Sequence, residues 1–367
     1  MYIVFNVGLF MLYYSLLFLL PAVPCALPYF TQFKWIEKEK CYKISITVFF
    51  SILLFLTAFR SRYVGADTIN YINMFRRFSS WSFAKNLNYK EPAFAILCKV
   101  ISLFTKEYQV LVAVVAIIST VPVAIVYYQE IEYPMTTIAL LVNISNFYMF
   151  FSGMRQSIAI ALGMIAFLFT RHRKLIPFLL VSVLAFLFHR TALILFLMYP
   201  LYKLRLYKKS LFIVIPTMAL IFIFNKPIFA ALQGIISDYE GVGNAETGAI
   251  TMLLLLIAFS VFSFIIPKDS NLDDVSIGMR NFLLMVTVVQ MFVPINTFVM
   301  RMGYYYMIFL PLVIPKIIVN TSVRLRQFAI IAHYVILVFF TARFFLSAPT
   351  LNALNIFPYS FFWEYLQ

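Results

Sequence analysis

Residues 44–59, ISITVFFSILLFLTAF, run directly into residues 60–71, RSRYVGADTINY, and the join between them decides how the chain is built. The first segment carries no charge and suits a helix crossing a hydrocarbon layer of about 30 Å, with its ends reaching to the interface. The second places two arginines, a glycine and an aspartate at the point where such a helix leaves lipid. Outward from this join, similar apolar blocks recur near 3–23, 109–128, 135–151, 154–170, 175–188, 190–202, 211–225, 248–266, 281–297, 303–319 and 328–346. With 44–59 they predict an all-α polytopic membrane protein of about twelve transmembrane helices. The composition agrees: 63% of residues are hydrophobic and 12% charged, against about 25% charged in a soluble domain. The chain therefore reads as a single integral membrane domain over 1–367. The first twenty residues lack a basic leading region and a small-residue cleavage site, so they are expected to stay as the first span.

The formal charge is +15. No soluble basic module with interleaved aromatics exists to carry it onto nucleic acid, so membrane lipid phosphate is the expected anionic partner. Cys25, Cys41 and Cys98 form no CxxC pair and are expected to pack as small hydrophobes. The three histidines, His172, His189 and His333, show no metal-ligand spacing, so neither a metal site nor a cofactor is expected.

Orientation follows from the basic stretches at 34–43, 171–174, 203–209 and 323–326, which belong on the cytoplasmic side. They agree if 175–202 is a hairpin turning near His189 and if 91–104, with Lys99 in its middle, is a re-entrant or interfacial helix. Residues 60–108 then form an outer loop with that interfacial helix, residues 226–247 form a second outer loop, and both termini lie outside. Eight basic residues fall between Arg60 and Lys106, on the side that orientation signals disfavour, which points to a local use such as an anionic ligand. The bland alternative is a headgroup-binding surface.

Polar residues inside apolar runs cost about 2.5–3.5 kcal/mol on insertion scales and need a reason. In FFSGMRQSIAIALGM (150–164), Arg155 and Gln156 open a helix after a Ser-Gly break, with Ser152 as the expected cap. In LAFLFHRTALIL (184–195), His189 and Arg190 stand at the proposed turn; this histidine is either a base or phosphate ligand, or a packed core residue. In FVMRMGYYYMIF (298–309), Arg301 enters a late helix. Under this topology they share a face with Arg60, Asp67 and Glu91, a gathering suited to a phosphorylated substrate, whereas independent snorkelling arginines would populate both faces. Gly65 allows a sharp turn that aims Asp67 back at the membrane. The Gly-rich stretch QGIISDYEGVGNAETG (233–248) reads as a lid or as a plain connection.

The ordered set of Arg60, Gly65, Asp67, Thr68 and Tyr71, then Glu91-Pro92, then Arg155-Gln156 opening a helix, then FHRTA at 188–192, resembles the EpsG family of Wzy-type bacterial polysaccharide polymerases. The resemblance is close from about 60 to 200 and looser at Arg301. It implies a GT-C-like helical fold in the bacterial cytoplasmic membrane with an outward-facing active site. It also implies a metal-independent glycosyltransferase of capsule, exopolysaccharide or O-antigen synthesis. Its substrates would be a polyprenyl-diphosphate-linked oligosaccharide donor and a lipid-linked acceptor, with a chain-length regulator protein as partner. On that basis Arg155, Arg60 and Arg301 are expected to hold the diphosphate. Asp67 or His189 activates the acceptor hydroxyl, Gln156 and Tyr71 orient oxygens, and Arg62, Glu91 and Arg190 complete the substrate site. An O-antigen ligase-like enzyme, a flippase or transporter of the same lipid, and a structural membrane subunit are the alternatives.

Overall fold

The computed structural model describes residues 2–29, 37–236, 247–347 and 354–365. Among them the chain is helical throughout; its only β pairings are isolated bridges between Arg60 and Phe361 and between Pro267 and Thr321. It divides into two compact units, Met1–Leu193 with Tyr334–Gln367, and Ile194–His333.

The first unit opens with α1 (Tyr2–Ala26) and α2 (Lys38–Ala58), which pack on each other. Three helices follow where an outer loop with one interfacial helix is expected: α3 (Thr68–Ser80), α4 (Phe83–Leu87) and α5 (Pro92–Phe104). Next come α6 (Tyr108–Glu130), α7 (Pro134–Asn143), α8 (Ser145–Ser152), α9 (Met154–Arg171) and α10 (Leu175–Phe188). Helix α3 forms because its apolar residues recur at helical spacing: Tyr71, Ile72, Phe75 and Phe78 are buried on one side. That face meets Phe94, Ala95 and Cys98 of α5, Leu111 and Val115 of α6, and Met154 and Ile158 of α9 in one cluster. The segment after residue 60 is thus a folded helical cap.

The second unit begins in the 3-10 helix Arg190–Leu197 and contains α11 (Met198–Lys203), α12 (Leu211–Ile223), α13 (Asn225–Ile236) and α14 (Thr247–Ile265). It continues through α15 (Asp274–Gln290), α16 (Met300–Met307) and α17 (Leu310–Val319), and α18 (Arg326–Ser347) leads back to the first unit. Asp273 caps α15 by accepting from the Ser276 N–H at 2.8 Å. From α15 the fully buried Arg280 donates to the carbonyls of Leu206 and Ser263 and lies 4.1 Å over the Phe264 ring.

Among the described residues four helices are long and apolar enough to cross a membrane: Lys38–Ala58, Tyr108–Glu130, Gly248–Ile265 and Val323–Leu346. Three bent pairs raise this to seven if each is one span: α7 with α8 at 61°, α12 with α13 at 74°, and α16 with α17 at 42°. Four to seven candidate spans stand beside the expected count of about twelve, and several apolar runs that look continuous in the sequence are broken. Asn143 turns its amide onto the Ala139 and Phe340 carbonyls at the first bend, and Pro311 removes an N–H at the third. Residues 190–202, expected as a span, are a 3-10 helix and the six-residue α11. The expected outer loop 226–247 is helical as far as Ile236. Most of the glycine-rich stretch 233–248 lies outside the described residues.

Candidate functional site

The site is assembled at the ends of helices. Glu91 precedes Pro92, whose fixed φ and missing N–H suit the first turn of α5. Arg155 sits in the first turn of α9, where Gly153 separates α8 from α9. His189 closes α10 in an extended conformation. Glu91 is fully buried, and its two oxygens divide the partners. Oε2 accepts from Arg155 Nη1. Oε1 pairs with His189 Nδ1 at 2.8 Å and accepts the Arg190 backbone N–H at 3.3 Å. Burial alone pushes the Glu91 carboxyl up, but His189, Arg155 and the Arg190 N–H outweigh burial and hold it at about 2.

Arg155 lies with its guanidinium 5.6 Å from the centre of the Tyr71 ring. Asp67 stands one turn before Tyr71, whose N–H bonds to the Asp67 carbonyl at 3.0 Å. The Asp67 side chain makes no capping bond to α3. Its backbone N–H instead donates to Ser152 Oγ at 3.3 Å. Ser152 therefore ties the 60–68 turn to α8, and the expected cap of α9 is replaced by Gly153. Gly65, at φ +91°, is packed so tightly that a Cβ there would lie 2.1 Å from the Phe151 carbonyl oxygen.

The structure thus brings together Tyr71, Glu91, Arg155, His189 and Arg190, with Asp67 alongside. Gln156 is buried within α9. Arg62 is exposed, 5.3 Å over the Tyr108 ring. Arg301 belongs to the second unit, where it lies over Phe298 at 5.7 Å.

Arg60 also stands apart. It is 1% exposed, and its Nη1 donates to the Thr57 carbonyl at the end of α2. Burial pushes its pKa down to about 10, partly offset by Tyr359 and Tyr14. Its cover is a strap from the far end of the chain. Ser61 N–H bonds to the Ser360 carbonyl at 2.9 Å, Gly65 N–H to Asn355 at 2.7 Å, Ala66 N–H to Leu354 at 2.8 Å, and Phe362 N–H to Phe59 at 3.0 Å. The strap residues had no signal in the sequence, because an extended aromatic segment shows no helical period and its partners lie some three hundred positions away.

A carboxylate holding Nδ1 of a buried imidazole fixes the ring's orientation and leaves Nε2 as the nitrogen for proton transfer. The adjoining guanidinium suits an oxyanion. Among the described residues no group of three or more His, Cys, Asp or Glu side chains is placed to hold a metal ion.

Several helices long and apolar enough to cross a membrane, and a buried carboxylate–imidazole–guanidinium cluster at the ends of α5, α9 and α10, define a membrane protein with a polar site. The chain belongs to the EpsG family, a family of Wzy-type polysaccharide polymerases, and the match runs over residues 43–361. Comparisons with curated proteins and with solved structures gave no match.

Proposed function

We propose that this polymerase transfers a glycan chain from polyprenyl diphosphate to the terminal sugar of a lipid-linked repeat unit, on the outer face of the bacterial cytoplasmic membrane. The observation that carries the reading is the buried carboxylate of Glu91, which engages His189 and Arg155 together. His189, oriented by Glu91, takes the proton of the acceptor hydroxyl as its oxygen attacks the anomeric carbon. The bond from that carbon to the diphosphate breaks, and the leaving group carries its charge onto Arg155 and Arg190. Tyr71 and Asp67 line the approach of the acceptor. The outward orientation rests on the basic stretches assigned to the cytoplasmic side, and the pairing of the strap with residues 59–66 puts those two segments on one common side. The reading brings with it a GT-C-like arrangement of about twelve crossings, in which the bent pairs and shorter apolar helices also lie within the bilayer.

The test is deletion of the native chain followed by complementation, read on a gel of surface polysaccharide. His189→Ala and Arg155→Ala at equal protein level should leave single repeats attached to their carrier. Polymer left unattached would indicate a ligase, and loss of both products a flippase. A normal ladder from His189→Ala would move the base role to Asp67, which Asp67→Asn then tests.

A further inference from the structure

Arg60 is not satisfied by the cluster at Glu91, and its surroundings give it a separate role. The guanidinium is anchored through Nη1 to Thr57, while Nε and Nη2 are buried with no acceptor among the described residues. Those two nitrogens share one edge of the guanidinium, the fork that matches two oxygens of one phosphate. The hydroxyls around it are committed elsewhere: Tyr359 Oη donates to the Leu56 carbonyl at 2.8 Å and Tyr14 Oη to the Ile356 carbonyl at 2.9 Å. Ser61 Oγ and Ser360 Oγ are spent on each other at 2.8 Å. Beside Arg60 run Tyr14 of α1 and the strap 354–362, whose Phe361 forms an isolated bridge with Arg60 and which is held to residues 59–66 by four backbone bonds. Its Tyr359, and the Trp363 that follows it and stacks on Phe361 at 4.3 Å, are residue types that settle at a bilayer interface, so withdrawal would not carry them into bulk water.

We propose that Arg60 is a second anion site, for the phosphate oxygens of a diphosphate, and that residues 354–362 are the cover that closes it. The site rests on the polymerase reading for the identity of its ligand. It gives the departing polyprenyl diphosphate a resting place distinct from the reacting centre at Arg155. The strap, in opening and closing, times its release.

The test uses the full chain reconstituted in phosphatidylcholine vesicles. With Ser61→Cys as reporter, labelling by a membrane-impermeant maleimide should accelerate several-fold when inorganic pyrophosphate is added. Adding Arg60→Lys, which keeps the charge and loses the fork, should abolish the response. Acceleration by phosphatidylglycerol without pyrophosphate would keep the anion site and assign it to a lipid headgroup. A rate unchanged in every arm overturns the proposal. Independently, Ser61→Cys with Ser360→Cys should form a disulfide under oxidant that stops polymer formation, restored by reductant, with each single variant unaffected. Undiminished polymer from the locked chain overturns the cover. If instead the native chain makes no polymer in complementation, the functional reading fails while the labelling response stands by itself.

Discussion

At the scale of single residues, Glu91 sets the properties of everything it touches. Replacing it leaves Arg155 partly buried without its counter-charge, and breaking such a pair costs about 3–5 kcal/mol. Glu91→Gln should therefore lower the thermal midpoint in detergent as well as polymer yield. His189→Ala should cut the polymerisation rate by about 10²–10⁴-fold and also lower the midpoint, because it empties a buried position and leaves Glu91 Oε1 without its 2.8 Å partner. The pH dependence has a definite sign. The Glu91 carboxyl is held at about 2 against an ordinary 4.5, so its contribution to stability is complete above about 4.5 and is lost as pH falls toward 2. A midpoint that declines on acidification in the native chain and stays flatter in Glu91→Gln would bear this out. At Gly65 the left-handed backbone and the Phe151 carbonyl act together. Gly65→Ala should cost more than the roughly 1–2 kcal/mol of the conformation alone, visible as reduced folded yield.

At the scale of elements, α9 is pinned at both ends by an arginine–glutamate pair: Arg155 to Glu91 at its start, Arg171 to Glu130 of α6 at its finish. The two clamps differ in company, since only the first includes a histidine. Arg171→Ala should lower stability modestly and leave polymer length intact, in contrast to Arg155→Ala. Helix α3 is held by its apolar face, and Phe75→Ala, at 1% exposure, should cost about 3–5 kcal/mol, read as a lowered midpoint.

Arg155 and His189 were legible in the sequence because a polar residue inside an apolar run is conspicuous, and Glu91 through the Glu-Pro pair of the family pattern. Their arrangement was not: Glu91 and His189 are 98 positions apart, and hydropathy carries no information about which helix ends meet. Glu91 was expected to bind substrate, and its carboxylate is engaged by Arg155, His189 and the Arg190 N–H. The helical character of α3 was hidden inside a segment too polar to be a span, whose amphipathic period shows only when the face it packs on is known.

At the scale of the whole molecule, membrane character and all-helical class followed from the recurring apolar runs and the composition, whereas the bends near Asn143 and Pro311 turn on single side chains that hydropathy averages away. The pairing of residues 59–66 with 354–362 makes one topological prediction. Tyr63→Cys and Trp363→Cys, both at exposed positions, should react with an impermeant maleimide from the same side of intact vesicles. Labelling from opposite sides would contradict the fold. The same pairing has a consequence for how the protein is made. When residues 59–66 leave the ribosome, their partners have yet to be translated, and at bacterial elongation rates the delay is about 15–60 s. During that interval Arg60 has no roof, so this corner cannot mature during synthesis. It is finished only after the helices between have entered the membrane, and a nascent chain interrupted before the strap would leave an inserted but incomplete molecule for quality-control proteases to find.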